Sequence, residues 1–410
     1  LESTLTLEPE SIPLNVKVVL TGDPMLYYLL KQYDPEFSHL FKVAADFSYQ
    51  TERSEENSLL YARLIATQQQ RDNLKPIHRD AVARVIETAA RHAEDSEKLS
   101  LQIEKINDLL KESDYWAQQE GSRIIRLEHV ETSLEKQRYR QNRIQQRMQE
   151  QINRGISLID TEGSRVAQVN GLSVLQLGDY AFGSPTRITA TARLGQGKVI
   201  DIEREAKLGG DIHSKGVLIL TSYLANRYAH NRPLPLSASL VFEQSYGGVD
   251  GDSATAAELC VLLSAIADIP LKQSFAVTGS MNQLGQIQAI GGVNEKIEGF
   301  FAICRQRGLT GDQAVIIPAA NQVHLMLNDE VRKAVSDGQF AIYTANHVDD
   351  VMALLSGLSP GETDAEGRYS QGSFNRLIQD RIAKLQQLHS SFADQDKDKP
   401  DATETSGEHE

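Results

Sequence analysis

GGVDGDSATAAEL, residues 247–259, is the stretch on which the reading of this chain turns. An acidic, glycine-rich turn runs straight into small, helix-compatible residues, with Ser253 at the junction. Three readings are open: a calcium loop, an ordinary capped helix, or a nucleophile at a helix entrance. The calcium reading fails on composition. An EF-hand loop counted from Asp250 needs an oxygen ligand at its fifth position, glycine at the sixth and glutamate at the twelfth. Ala254, Thr255 and Val261 stand there instead. In the capped-helix reading, Asp252 or Ser253 is an N-cap for a helix over 253–268 with the apolar stripe Ala256, Leu259, Leu262, Leu263 and Ile266. In the nucleophile reading, the free N–H groups and partial positive charge of the helix start favour an oxyanion beside Ser253. Gly248 and Gly251 then let a substrate backbone come close. The stretch alone leaves the last two readings open.

A serine nucleophile needs a base. Lys296 lies 43 residues downstream of Ser253, in GGVNEKIEGFFAICRQRG, residues 291–308. A helix there buries Val293, Ile297, Phe300, Phe301 and Cys304, and at about 100° per residue Lys296 projects beside Phe300. Partial desolvation at that apolar edge lowers the pKa of an amine and makes its neutral form accessible near pH 7. Viewed alone, Lys296 is equally a lysine snorkelling from a helix surface.

Other chemistries find little support. The sequence holds no G-x-x-x-x-G-K-[ST]; the nearest run, Gly195-Gln196-Gly197-Lys198, is followed by Val199, which has no hydroxyl for magnesium. Ten histidines are scattered, with neither H-E-x-x-H nor zinc-type Cys/His spacing, so no metal or cofactor is expected in this chain. The net charge of −14 argues against broad nucleic-acid binding. One basic stretch, Lys136, Arg138, Arg140, Arg143 and Arg147, reads as the solvated face of a long helix, with a phosphate-binding patch at 134–154 as the alternative. No apolar run reaches the ~18 residues that span a bilayer. Cys260 and Cys304 fall in helical apolar patterns and read as buried thiols in a reducing, cytoplasmic compartment.

The organisation follows from periodicity. A strand is expected over 16–21, closed by Gly22-Asp23-Pro24, then a short helix over 25–32. Helices are expected over 54–72, 77–94, 95–119 and 126–153, the last with an imperfect apolar line of Val130, Leu134, Ile144, Met148 and Ile152. From Gly155 to about Gly210, short β-branched segments between glycine turns read as a strand meander. Helices over 214–228, 253–268, 294–307 and 347–356 then alternate with strands over 237–243, 274–279, 286–290, 314–317 and 340–344, an α/β (α+β) pattern. A last amphipathic helix is expected over 372–389. From Ser390 the tail carries seven acids and almost no large apolar residue, and is expected to be disordered. The chain starts at Leu1 with a strand-like run close behind, which suggests a C-terminal portion of a longer protein.

The order and spacing of several motifs resemble the Lon protease family of Ser–Lys peptidases. V-D-G-D-S-A around Ser253, G-G-V-N-E-K around Lys296 and T-G-S-M-N-Q-L-G-Q-I-Q-A-I at 278–290 carry the resemblance. V-N-G-L-S-V (169–174), G-D-I-H-S-K-G (210–216) and F-E-Q-S-Y (242–246) look like the LonB-like branch. The resemblance implies Ser253 as nucleophile, Lys296 as general base and Thr278 as the hydroxyl that orients the lysine, with Gly251 and Asp252 in support. No histidine is required in such a dyad, so His213 is read as structural or as part of the substrate groove, with a Ser253–His213–Asp triad as the lesser alternative. Asp252 stands where the bacterial soluble enzymes carry proline. Its carboxylate could keep Lys296 protonated and act as a brake.

P-L-N-V-K-V-V-L-T-G-D, residues 13–23, resembles the late sensor strand of an AAA+ module. The segment D-P-E-F-S-H-L-F, residues 34–41, lies where such modules usually carry a finger arginine and holds none. The implied partition is a remnant of an AAA+ α/β subdomain at 1–50, a helical small subdomain and linker helix at 51–153, a Lon-type proteolytic domain at 154–358, and a C-terminal helix with an acidic tail at 359–410. The implied function is ATP-dependent endopeptidase action on unfolded or damaged proteins inside a homo-oligomeric, hexameric ring, with ATP and Mg²⁺ belonging to a longer parent and no membrane partner. The alternative is a catalytically silent ring with a chaperone-like or scaffolding role.

Overall fold

The computed structural model of the protein describes residues 10–195, 197–229 and 233–397. They belong to two compact units, Leu1–Tyr49 and Gln50–Glu410. In the first, α1 (Pro24–Tyr33) starts on Asp23, whose carboxylate accepts from Met25 N, with Pro24 at the first helical position where its missing N–H costs nothing. A single turn, α2 (Phe37–Leu40), follows, and Phe37 is buried edge-on against Tyr27. The strand expected over 16–21 does not form. A strand needs a neighbour for its N–H and C=O groups, and among the described residues none pairs with it; Val16, Val18, Val19 and Leu20 stay exposed.

The second unit opens with helices around a small core. β1 (Gln50–Glu52) leads to α3 (Glu55–Arg71), capped by Ser54, and α4 (Arg79–His92). β2 (Lys98–Ser100) pairs antiparallel with β1, and α5 (Ile103–Gln119), α6 (Leu127–Gln141) and α7 (Arg143–Asn153) follow. Tyr61, Ile65, Ala81, Val85, Ala89, Ile106, Leu110 and Val130 form the shared interior. Two expectations need correction. The helix predicted from residue 95 begins only at Ile103, because Glu94 has φ +53° and the Asp95 side chain accepts from Glu97 N, a turn that competes with helix. The single helix over 126–153 breaks at Asn142. The ten residues from Leu134 to Ile144 leave the two apolar lines about 80° out of phase, and the break restores Ile152 to a buried position.

A short strand, β3 (Ser164–Val166), precedes the central sheet. β4 (Gln168–Leu177) and β5 (Tyr180–Leu194) form a long antiparallel hairpin, with Leu177 opposite Tyr180 and Gly178 at φ +60° in the tight turn. β6 (Lys198–Asp201), the turn α8 (Ile202–Glu205), α9 (Asp211–Tyr228) and β7 (Leu236–Phe242) come next. Then follow α10 (Thr255–Ala267), β8 (Pro270–Lys272), β9 (Phe275–Val277), β10 (Ser280–Met281), β11 (Ile287–Gln288) and α11 (Val293–Arg307). β12 (Ala314–Pro318), α12 (Asp329–Ser336), β13 (Ala341–Ala345), α13 (Val348–Ser356) and α14 (Phe374–Lys397) complete the chain. The seven-stranded sheet runs β13-β12-β9-β4-β5-β7-β6; β4–β5 and β5–β7 are antiparallel and the other pairs parallel. The expected strand over 286–290 is reduced to β11, paired with β10, with Gln286 in an isolated bridge to His347. α14 extends past 389, so the stretch from Ser390 is helical as far as Lys397; the remaining acidic tail lies outside the described residues.

Strand alternation divides the interior. Val277 and Ile316 face one core with Leu259, Leu263, Leu220, Met352 and Ile378 of α10, α9, α13 and α14. Ala276, Val315 and Ile317 face a second core with Ile297, Phe300 and Phe301 of α11 and Val331 of α12. α10 is buried on almost every face, as an apolar helix enclosed between the sheet and α9, α13 and α14 must be. Among the described residues no helix is long and apolar enough to cross a membrane.

α11 lies unusually close to β5 because two glycines meet. A Cβ on Gly183 would stand 2.7 Å from Lys296 Cα and collide with the Glu295 carbonyl; one on Gly299 would stand 2.9 Å from Gly183 Cα. The expected result of Gly183→Ala is a destabilisation of about 1–3 kcal/mol through overpacking, read from the denaturant midpoint. An unchanged midpoint would show that the approach is not close enough to matter.

Candidate active site

Ser253 lies in a turn two residues before α10, not in its first turn. The helix N-cap is Ala254, which offers no capping side chain. The ordinary cap reading of Ser253 therefore does not describe this geometry. The turn is pinned at its carbonyl groups. Gly279 N donates to Ser253 O at 2.7 Å, Thr255 Oγ1 donates to Asp252 O at 2.7 Å, and Ala256 N donates to Gly279 O at 3.1 Å. Gly251 takes φ +89°, a conformation that favours glycine, and the space where its Cβ would stand is open.

Lys296 comes from the opposite layer. It occupies the first turn of α11, which starts from Gly292 at φ +65°. Its side chain is only 3% exposed, deeper than the half-covered edge its position in the stripe suggests. The amine lies 2.9 Å from Ser253 Oγ and 3.1 Å from Thr278 Oγ1. The Thr278 hydroxyl in turn donates to Ser253 O at 3.2 Å. Thr278 directly follows β9, and its N–H donates to Ile316 O, so the central sheet holds it in place. Burial pulls the Lys296 amine down to about 8, against the opposing field of the Asp252 carboxylate.

The structure thus brings Ser253, Lys296 and Thr278 into one hydrogen-bonded group and places Asp252 within electrostatic reach of the amine. It does not join His213 to them. His213 is buried on α9, with Nε2 3.2 Å from Asp201 Oδ2 and 3.9 Å from Glu258 Oε1. Burial lowers its pKa, but the surrounding carboxylates Asp201, Glu258 and Glu203 win and leave it raised. The Ser253–His213–Asp triad is therefore not the arrangement present. Sequence reasoning missed Gly183 and Gly299, which set the depth of Lys296, and Arg91 at the end of α4. Arg91 Nη2 bonds Glu298 Oε2 at 2.9 Å and Glu295 Oε1 at 3.1 Å, which ties the N-terminal helices to α11 on either side of Lys296. Only Glu295 and Glu298, flanking the lysine, hinted at it. Cys260 and Cys304 are free and buried, with burial raising both thiols and Cys304 up to about 12. Part of the basic stretch is engaged within the protein: Arg140 pairs with Glu112 at 2.8 Å, and the Lys136 amine lies over the Trp116 ring.

Comparison with known proteins fits this arrangement. Residues 1–48 match the LonB-like AAA domain, 76–140 the AAA+ ATPase lid domain of archaeal LonB, and 245–356 the C-terminal proteolytic domain of Lon protease, S16. A Lon protease homolog of Escherichia coli (strain K12) is 39% identical over 93% of this chain and 64% of its own length. A Lon protease homolog of Haemophilus influenzae is 47% identical over 55% of the chain and 38% of its own length. The archaeal Lon protease of Archaeoglobus fulgidus is 28% identical over 72% of the chain and 45% of its own length. The chain therefore spans under two thirds of each of these relatives. Three matches in the chain order of a Lon protein, around a serine–lysine contact built by two layers of one sheet, lead to the conclusion that the chain belongs to the Lon protease family, in its LonB-like branch.

Proposed function

We propose that this chain carries a serine endopeptidase centre in which Ser253 is the nucleophile and Lys296 the general base. The observation that carries the reading is the 2.9 Å contact between a hydroxyl and an amine that burial has brought down to about 8. In its neutral form Lys296 accepts the Ser253 proton as Oγ attacks the scissile carbonyl. The Thr278 hydroxyl accepts from the protonated amine and, being tied to Ser253 O, keeps it aimed at Oγ. The developing oxyanion is held, in this proposal, by backbone N–H groups near Ser253; those of Thr255 and Ala256 are already engaged by Asp252 O and Gly279 O. Lys296 then returns its proton to the leaving amine, and water activated by the same lysine hydrolyses the acyl-enzyme. Asp252 favours the ammonium form and so restrains the base.

Unfolded proteins are the proposed substrates, cleaved inside a homo-oligomeric ring of hexameric form in a reducing, cytoplasmic compartment. The proposed partition keeps residues 154–358 as the proteolytic domain, 51–153 as the helical small subdomain with its linker, 1–50 as an AAA+ remnant, and 359–410 as the C-terminal helix and tail. The chain has no phosphate loop of its own, so none of these steps runs through nucleotide. ATP and Mg²⁺ belong, in this proposal, to a longer parent. A silent ring is the competing reading, and the Asp252 field is the observation in its favour.

Casein turnover distinguishes the two. The expected outcome is measurable cleavage by the wild type, with Ser253→Ala lowering kcat by at least about 10³-fold. Lys296→Arg should be equally inactive, because a guanidinium does not give up its proton. A wild type without turnover on peptide or casein, with or without nucleotide, would establish the silent ring. Thr278→Val should lower kcat about 5–10-fold, the loss expected for one orienting hydrogen bond, with KM little changed. An unaltered kcat would remove Thr278 from the mechanism. Activity should rise with pH and reach half its maximum near 8, where Lys296 loses its proton. Asp252→Ala removes a nearby negative charge, destabilises the ammonium and moves this limb to lower pH, with a faster rate at pH 7. The brake is wrong if rate and profile match the wild type.

A further inference from the structure

The far side of α10 carries a second constellation that the dyad does not use. Asp201 ends β6, Glu203 lies in α8, His213 in the first turn of α9 and Glu258 in α10. Each is 3% exposed or less. One donor atom from each of Asp201, Glu203 and His213 lies within 4.8 Å of the others. His213 Nε2 is 3.2 Å from Asp201 Oδ2 and 3.9 Å from Glu258 Oε1. The other oxygens are engaged in holding the carboxylates still: Asp201 Oδ1 accepts from Glu203 N at 3.1 Å, and Glu203 Oε1 accepts from Phe242 N at 2.8 Å. Asp201 Oδ1 also lies 3.3 Å from His213 Nε2; Asp201 Oδ2, Glu203 Oε2 and Glu258 Oε1 are buried and accept no hydrogen bond.

One imidazole does not balance three buried carboxyl groups, and their unsatisfied oxygens are costly in a dry interior unless a further positive charge joins them. Among the described residues, the ion pairs of these acids are with His213 alone. We propose that Asp201, Glu203 and His213 form a binding site for one divalent transition cation, Zn²⁺ or Mn²⁺, with the Glu258 carboxylate beside it. The donor set decides the class. An imidazole nitrogen with two carboxylates suits a borderline first-row ion; it is too nitrogen-bearing for Ca²⁺ or Mg²⁺ and has no thiolate for a softer ion. Ligands about 2.0–2.2 Å from a tetrahedral ion stand roughly 3.3–3.6 Å apart, close to the 3.2 Å between His213 Nε2 and Asp201 Oδ2; all three donors lie within 4.8 Å of one another. The ion would staple the β6–α8 segment to α9, which packs on α10, the helix whose entrance turn carries Ser253. The short spacing D-x-E over 201–203, with His213 and Glu258 distant in sequence, gives no motif from which the site could be read.

The full chain, expressed in medium supplemented with Zn²⁺ and Mn²⁺ and desalted without chelator, should retain about one equivalent of one of these metals by mass spectrometry. Dipicolinate should strip it and lower Tm by roughly 2–4 °C or more, and Zn²⁺ or Mn²⁺ should restore the value where Mg²⁺ does not. Asp201→Asn and Glu203→Gln keep the side-chain volume and should weaken binding by at least about 10–100-fold. The sign of their effect on stability is the decisive reading. In stripped protein each should raise Tm, since a buried uncompensated carboxylate is gone; in metal-loaded protein each should lower it. Less than half an equivalent after titration with either metal would overturn the site, as would a Tm response as large in Glu203→Gln as in the wild type; the cluster then holds protons only. The same measurements in Ser253→Ala protein should be unchanged, so the outcome does not depend on peptidase activity.

Discussion

A primary amine buried to 3% exposure is held here by two hydroxyls and, among the described residues, no ion pair. Burying an ammonium without a counter-charge is expensive, and the amine answers by giving up its proton more readily. Hydroxyl partners suit both of its forms, since they accept from the ammonium and donate to the free amine. A carboxylate in direct contact would have held Lys296 charged. Much of the proteolytic layer arrangement serves to create this one desolvated contact.

The contact exists because the sheet has two sides. Ser253 enters α10 on one face of the sheet, and Lys296 rides on α11 on the other. They meet at the end of β9, where Thr278 follows Val277 and the strand no longer separates the layers. α11 reaches far enough only because Gly183 and Gly299 remove the side chains that would hold it off β5. Its packing is then locked by Phe300, fully buried and worth about 1.5–3 kcal/mol on transfer from water. Arg91 adds a second constraint from the N-terminal helices, pairing with Glu295 and Glu298 on either side of the lysine. Any shift of α4 is thereby felt within one turn of Lys296.

The two buried polar groups of the domain differ in how they are satisfied. Around Lys296 each polar atom finds a partner that carries no charge. Around His213 three acids converge with oxygens left over. Both groups touch α10 or the turn leading into it, so the helix that presents Ser253 is fixed on one side by hydrogen bonds and on the other by whatever neutralises those acids.

The sequence alone determined the type of most elements of the α/β part, because strand and helix periods differ, α10 and β12 are strongly apolar, and α11 is an amphipathic run bounded by Gly292 and Gly308; α8 and α12, short and polar, were not legible. It also determined the pairing of Ser253 with Lys296, through motif order and spacing more than through any property of either residue. It misjudged features that depend on neighbours. The strand over 16–21 has the right residues but no partner, the helix over 126–153 breaks where its apolar line loses phase, and Ser253 stands before the helix and not in it. Only the tertiary structure decided how deeply Lys296 is buried, which follows from a glycine 113 residues away in sequence. Only it gathered Asp201, Glu203, His213 and Glu258, because desolvation and convergence are properties of packed surfaces from separate segments, and no spacing along the chain encodes them.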